Sequence, residues 1–177
     1  DDASTCSWST TRTSSGSCVL SDRVIVNASP LVFLGNAGRL ELLRALDGDV
    51  VVPEAVFGEV SASSHCDRAS RALRDASWIA RVPAADVPPA VAAWDLGAGE
   101  SAVIAAALAP PRSRVVIDDL AARKCSLALG LDVLGTLGVV VAAYRRGLVT
   151  DPAHVFDELR SAGMWLSDRV IAMARAA

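Results

Sequence analysis

Short apolar runs alternate with longer segments of helical periodicity along most of the chain. β-branched residues are concentrated at residues 24–26, 49–52, 114–117 and 132–134, and a further short run covers residues 78–82. Such runs, bounded by turn residues, are typical of buried strands. Strands separated by helices favour a parallel sheet that is covered on both faces. We therefore predict an α/β fold, a three-layer α/β/α sandwich with a four- or five-stranded parallel sheet.

Serine, proline and glycine mark the ends of the predicted helices. Ser29 followed by Pro30 is a good N-cap and first helical residue, which predicts a helix over residues 30–46. Gly147 and Gly163 are typical stop signals. The other helices are predicted at residues 53–62, 67–76, 101–109, 120–129, 137–146, 152–162 and 167–176.

The chain divides into a short polar start and one domain. Residues 1–22 are rich in serine and threonine and have no apolar periodicity, so we predict a disordered N-terminal extension there. The rest of the 177-residue chain, of which 52% is apolar, is long enough to bury a substantial core. We predict that residues 23–177 form this single domain.

The charge balance excludes a broadly basic surface. The chain has 17 basic and 20 acidic residues, a net charge of −3, whereas nucleic-acid binders commonly neutralise phosphates with basic side chains. Binding of nucleic acid would therefore need a local basic patch, a bound metal ion or a basic partner.

Apolar run length and cysteine spacing bear on the cellular location. The uncharged stretch at residues 133–144 is too short to cross a bilayer, so we predict no membrane span. Four cysteines, Cys6, Cys18, Cys66 and Cys125, lack the close spacing of a zinc knuckle or a redox pair. Reduced thiols in a cytoplasmic protein are the favoured interpretation.

Polar and acidic residues follow two of the predicted strands. Asn27 ends the first strand, and Asp118 and Asp119 end a later one. Ligands of open parallel sheets collect beyond the carboxyl ends of the strands, and consecutive acids there need solvent, a partner or a metal ion. Glu59 and Glu100, on predicted helices, are further candidates. Oxygen ligands of this kind suit a hard cation such as Mg²⁺.

Four motifs, in this order and spacing, resemble those of PIN-domain proteins. They are V-I-V-N-A-S-P-L at residues 24–31, P-E-A-V-F-G-E-V at 53–60, G-A-G-E at 97–100 and V-I-D-D at 116–119. The runs G-T-L-G-V at 135–139 and L-S-D at 166–168 match one branch of that family. The resemblance therefore covers residues 24–174, nearly all of the predicted domain.

The resemblance implies an enzyme and a set of partners. PIN-domain relatives are commonly endoribonucleases that depend on Mg²⁺ or Mn²⁺ and cleave an RNA substrate, and they are often homodimers. Many are VapC-like toxins of type II toxin–antitoxin pairs, whose site is blocked by a small antitoxin protein. We therefore expect a metal-dependent endoribonuclease that is the toxin of such a pair.

The resemblance also assigns roles to individual residues. It implies that the catalytic cluster consists of Asn27, Glu59, Glu100, Asp118 and Asp119. Of these, the residues expected to hold the metal ion are Asn27, Glu100, Asp118 and Asp119. Ser29 and Arg123 are expected to contact the substrate phosphate or to support the site.

One departure from the family pattern leaves two other functions open. The first acidic position of the wider family is usually aspartate, whereas this chain has Asn27, whose amide oxygen can bind a hard cation but brings no charge. The alternative is a catalytically weakened PIN-like module that binds RNA or a protein partner. A third hypothesis is an unrelated α/β phosphotransferase or hydrolase that uses Asp118 and Asp119, with Glu59 and Glu100 far away.

Each candidate residue also has a purely structural interpretation. Asn27 is a residue type that closes strand-to-helix turns. Glu59 fits a solvated helix face, and Glu100 fits a first helical turn, where the helix dipole favours an acid. Asp118 and Asp119 fit the cap of the helix that follows them.

Overall fold

Five parallel strands form the centre of the molecule. The structure is a computed structural model that describes residues 23–62, 67–109, 113–169 and 172. Its strands are β1 (Arg23–Val26), β2 (Asp49–Pro53), β3 (Ala80–Val82), β4 (Ser113–Val116) and β5 (Asp132–Leu134), in the order β3-β2-β1-β4-β5. Every neighbouring pair is parallel, which confirms the predicted sheet, with five strands. The extension predicted over residues 1–22 lies outside the described residues.

Helices cover both faces of this sheet. They are α1 (Ala28–Ala37), α2 (Glu54–Ala62), α3 (Asp67–Asp75), α4 (Pro89–Ala92), α5 (Ala98–Leu108), α6 (Leu120–Ala128), α7 (Thr136–Arg145) and α8 (Pro152–Ser161). The chain crosses the sheet in one direction through α1 and in the other through α5. Because parallel crossovers are right-handed, these two helices lie on opposite faces. The predicted α/β/α sandwich is therefore confirmed.

The middle of the sheet is a dry apolar core. Val24, Ile25 and Val26 of β1 and Val115 and Val116 of β4 have no measurable solvent exposure, as expected for strands that are covered on both faces. The backbone N–H of residue 27 donates to the carbonyl of Val116 (3.0 Å), so pairing of β1 with β4 continues past the end of β1. The carboxyl ends of these two strands therefore lie side by side.

The first helix differs from the prediction at both ends. α1 begins at Ala28, with Asn27 at the N-cap position, so the prediction of Ser29 as the N-cap is wrong and Ser29 lies in the first turn. Gly38, with a φ of 70°, ends α1, and a 3-10 helix over Leu40–Ala45 follows. A left-handed residue is inexpensive only for glycine, so Gly38 divides the segment that was predicted as one helix.

The remaining elements lie close to their predicted positions. β3 begins at Ala80, two residues after the predicted start, and α5 begins at Ala98 rather than at residue 101. The earlier start places Glu100 within the first turn of α5. Most of the helix predicted over residues 167–176 falls outside the described residues. Within the described ranges, no helix combines the length and the apolar character that a membrane span requires.

Candidate functional site

Asn27 lies at the carboxyl edge of the sheet, between the end of β1 and the start of α1. Its backbone is extended (φ −83°, ψ 171°), so the turn does not require the tolerance of asparagine for left-handed angles. The side chain makes no capping hydrogen bond to α1. Instead, Nδ2 of Asn27 donates to Oε1 of Glu100 (3.2 Å), which joins the end of β1 to the first turn of α5.

The other end of the Asn27 amide lacks a partner from the protein. The residue is 1% exposed, and its Oδ1 is buried with no hydrogen-bond donor among the described residues. A buried acceptor that is left unpaired costs about 1–3 kcal/mol, so native structures rarely keep one. A group from outside the protein, either a water molecule or a cation, would satisfy this oxygen.

Glu59 of α2 reaches the same place across Gly99. A Cβ atom built on Gly99 would lie 2.8 Å from Oε2 of Glu59 and 3.5 Å from Oδ1 of Asn27. The first distance is shorter than real Cβ contacts, so any side chain at position 99 would displace Glu59. The absence of a side chain at Gly99 therefore lets oxygens from β1 and from α2 approach each other.

Glu100 is held against the segment that precedes α5. Its carboxylate folds back over Gly97, so that a Cβ atom at Gly97 would collide with Oε2 of Glu100. The location in the first turn of α5 is also favourable for an acid, because the helix dipole is positive there. The helix dipole therefore explains why an acid is favourable at position 100. It does not explain the hydrogen bond that Glu100 accepts from Asn27.

The charge of Glu100 affects Glu59. Glu59 is an exposed residue, but the pKa of its carboxyl group is raised, first because partial burial of that group disfavours the charged form and second because the negative charge of Glu100 lies nearby. Like charges that are brought together in this way are relieved by protonation or by a cation. The electrostatics of the site are therefore compatible with a positively charged ligand.

Asp118 is engaged in a connection between β4 and α7. Its Oδ1 accepts from the backbone N–H of Thr136 (2.8 Å), and its Oδ2 accepts from the Thr136 hydroxyl (2.6 Å). A Cβ atom on Gly135 would lie 2.9 Å from both Oδ1 of Asp118 and Nη1 of Arg123. Arg123 in turn donates to the carbonyl of Ile117 (3.0 Å). These groups fix the turn that follows β4.

Asp119 is the N-cap of α6. Its Oδ1 accepts from the backbone N–H of Ala122 (2.8 Å), and the residue is exposed. The capping interpretation therefore holds for Asp119, and it uses one of the two carboxylate oxygens. Ser29 lies half-buried in the first turn of α1, two residues after Asn27.

The motifs that contribute these residues match a known family along almost the whole domain. A family model described as a PIN domain matches residues 23–176. The chain belongs to the PIN-domain family. No curated protein and no solved structure matches the chain. Membership confirms the resemblance found in the sequence and gives the chain a nuclease-type fold, which excludes the hypothesis of an unrelated phosphotransferase or hydrolase.

In this PIN domain, two carboxylates and one amide lie together at the candidate site. The structure brings together Asn27, Glu59 and Glu100, whereas Asp118 and Asp119 make the hydrogen bonds of neighbouring turns. In the part of the chain that the structure describes, no three Asp, Glu, His or Cys side chains gather into a metal-binding group. An oxygen set with few charges can still hold a hard cation whose other ligands are water molecules.

Two residues of this PIN domain gain a role that the sequence did not assign to them. Gly99 makes room for Glu59, and Thr136 holds both carboxylate oxygens of Asp118. Both lie in motifs that carried the family resemblance, G-A-G-E and G-T-L-G-V. The signal for the role of Gly99, the second glycine of G-A-G-E, was present in the sequence. A glycine inside a helix is unfavourable unless there is a steric reason for it.

Proposed function

We propose that this PIN-domain protein is a metal-dependent endoribonuclease. The observation that carries the proposal is the convergence of Asn27, Glu59 and Glu100 around Gly99 at the carboxyl edge of the sheet. This is the edge at which open parallel sheets bind their ligands. The substrate class, a phosphodiester in RNA, is proposed from the PIN family, and an acidic, cation-compatible site suits that chemistry.

The proposed cofactor is Mg²⁺ or Mn²⁺. Asn27 and Glu100 would hold it, because the unpaired Oδ1 of Asn27 and the carboxylate of Glu100 are both hard oxygen ligands. Asp119 would contribute the oxygen that is not used in capping α6, and Asp118 would act beside it through the turn that it stabilises. The cation would supply Lewis-acid activation of water and would neutralise charge on the scissile phosphate.

Each protein group has a separate task in this proposal. Oε2 of Glu59 accepts the proton of the attacking water, and its raised pKa makes it a stronger base than an ordinary glutamate. Asn27 fixes the orientation of Glu100 through the hydrogen bond between them. Arg123 would support the site through its hydrogen bond to the carbonyl of Ile117, just after β4, and Ser29, in the first turn of α1, would contact the substrate phosphate.

The biological setting proposed from the family is the toxin of a type II toxin–antitoxin pair in the cytoplasm. Exposed apolar residues close to the site along the chain support a protein partner. Leu120, next to Asp119, is 65% exposed, and Trp94, shortly before Gly97, is 39% exposed. A small antitoxin that covered the site, or a second subunit in a homodimer, would remove these side chains from water.

A second candidate function is a weakened PIN module that binds RNA or a protein without efficient cleavage. Asn27 supplies no charge where a carboxylate would, and Asp119 already caps α6. The first feature removes one negative charge from the site, and the second occupies one of the two Asp119 oxygens that could bind a cation. In this alternative, the site binds its ligand but turnover is slow.

The test is cleavage of a mixed RNA pool by the purified protein in Mg²⁺, Mn²⁺ or EDTA. We expect metal-dependent cleavage that falls by about 100-fold or more in Glu59→Gln, since general bases contribute about that much, and that is also lost in Glu100→Gln. Glu54→Gln is the matched control, because Glu54 is exposed in the first turn of the same helix as Glu59. RNA binding without cleavage in any metal would instead support the weakened module.

A further inference from the structure

The hydrogen bond between Asn27 and Glu100 places the partially positive end of a neutral amide against a carboxylate. The donor is the Nδ2 group, which carries partial positive charge, and it lies 3.2 Å from a carboxylate oxygen. Asn27 is 1% exposed, so solvent cannot replace this interaction. Hydrogen bonds to carboxylates are stronger than those between neutral groups.

We propose that Asn27 is a positioning residue whose amide takes the place of a cation, so that the site is stable without metal at the expense of metal affinity. The proposal rests on the proposed metal site but does not depend on RNA cleavage. Asn27 then has two roles at its two ends. Nδ2 stabilises Glu100 permanently, and Oδ1 remains as a neutral ligand.

The physical reason is the charge that aspartate would bring to the same position. Asp and Asn have nearly the same shape, but aspartate would place an oxygen where Nδ2 now meets Oε1 of Glu100. Glu59 lies across Gly99 on the other side, so a third negative charge would enter a buried place between two glutamates. A buried charge without a partner is strongly unfavourable, and only a cation or a proton would compensate for it.

The experiment compares thermal unfolding in EDTA and in Mn²⁺ with calorimetric titration of Mn²⁺. We expect the wild-type Tm to rise only slightly in Mn²⁺, because the wild type binds the ion more weakly than the Asn27→Asp variant does. Asn27→Asp should lose about 3 °C or more in EDTA, which is the effect expected of a moderately destabilising change in a domain of this size. It should recover in Mn²⁺ and bind Mn²⁺ about 10-fold more tightly, because folding and metal binding are then linked.

A double variant distinguishes the hydrogen bond from a general effect of charge. Asn27→Asp combined with Glu100→Gln reverses the donor and the acceptor while keeping the net charge of the wild type. We expect its Tm in EDTA to return close to the wild-type value, without the tighter Mn²⁺ binding of the single variant. A double variant that stays as unstable as Asn27→Asp would overturn the proposal.

Asn36→Asp is the matched control for the added negative charge. Oδ1 of Asn36 accepts from the backbone N–H of Ala69 (3.1 Å), and aspartate preserves that hydrogen bond. Its Tm should not become dependent on Mn²⁺. The proposal is wrong if Asn27→Asp is as stable as the wild type in EDTA, or if its Mn²⁺ affinity is unchanged. Failure of the wild type to cleave RNA would count against the proposed function only, since Tm and titration do not require cleavage.

Discussion

At the scale of single residues, two glycines leave the space that the side chains of two glutamates occupy. Gly97 lies beneath the carboxylate of Glu100, and Gly99 lies beneath that of Glu59. Neither glycine is required by the backbone, because Gly97 has a φ of −60° and Gly99 is inside α5. Their value is therefore steric, and they allow acidic side chains from two helices to share the edge of the sheet.

Gly99→Ala should impair the site without unfolding the protein. The new Cβ would lie 2.8 Å from Oε2 of Glu59 and would displace that carboxylate, so we expect cleavage to fall about 10-fold or more, as misplaced catalytic groups commonly cause. Gly58→Ala in α2 is the matched control, since no atom lies within 4 Å of the Cβ position there. Cleavage rates and thermal unfolding of both variants provide the test, and equal activity of the two would contradict the steric role.

Glu59→Gln should stabilise the protein at neutral pH. The pKa of Glu59 is raised above its ordinary value of 4.5 by burial and by Glu100, so the ionised group destabilises the folded state above the raised pKa. As the pH falls towards 4.5, the wild type becomes protonated and the advantage of the variant should disappear. Urea unfolding from about pH 4 to pH 8 measures this difference. A constant difference across this range would refute the expectation.

At the scale of elements, one carboxylate connects two parts of the chain that are far apart in sequence. Asp118 follows β4, and both of its oxygens accept from Thr136, the first residue of α7. Because Thr136 is completely buried, the interaction is shielded from water. The position of Asp118 is thereby fixed by its hydrogen bonds to the first residue of α7.

Thr136→Val tests this connection. The variant keeps the shape of the side chain and the backbone hydrogen bond but removes the 2.6 Å hydrogen bond to Oδ2 of Asp118. We expect a loss of about 1–3 kcal/mol in the free energy of unfolding, because a charged acceptor loses a buried partner. Thr150→Val, at an exposed position, is the control and should change stability little. A loss below about 0.5 kcal/mol in urea unfolding would show that the hydroxyl is not needed.

The sequence predicted the elements better than the contacts between them. β-branched runs located the strands within about two residues, since their burial on both faces requires such runs. Gly38 was not foreseen as the end of α1, because apolar periodicity continues beyond it. The pairing of Asp118 with Thr136 and the approach of Glu59 to Gly99 depend on tertiary packing, which local patterns do not contain.

At the scale of the whole molecule, acidic residues outnumber basic ones. The chain has 17 basic and 20 acidic residues. Ion pairs in the described ranges join Arg39 to Glu158, Arg44 to Glu41, Arg114 to Asp132, Arg146 to Asp47 and Arg160 to Asp168. These pairs engage only five of the 17 basic residues, but the excess of acidic residues gives the chain a net charge of −3, so a bound cation becomes more important for RNA binding.

RNA binding should consequently depend strongly on metal and only weakly on salt. We expect the Kd of the non-cleaving Glu59→Gln variant for a single-stranded RNA of about 20 nucleotides to rise less than about 10-fold between about 50 and 200 mM salt, which corresponds to about two neutralised phosphates. Replacing Mg²⁺ with EDTA should weaken binding further at either salt concentration. Fluorescence anisotropy measures both effects. A loss of about 1,000-fold over the same salt range would instead indicate many phosphate contacts, and basic side chains rather than the cation would then carry the binding.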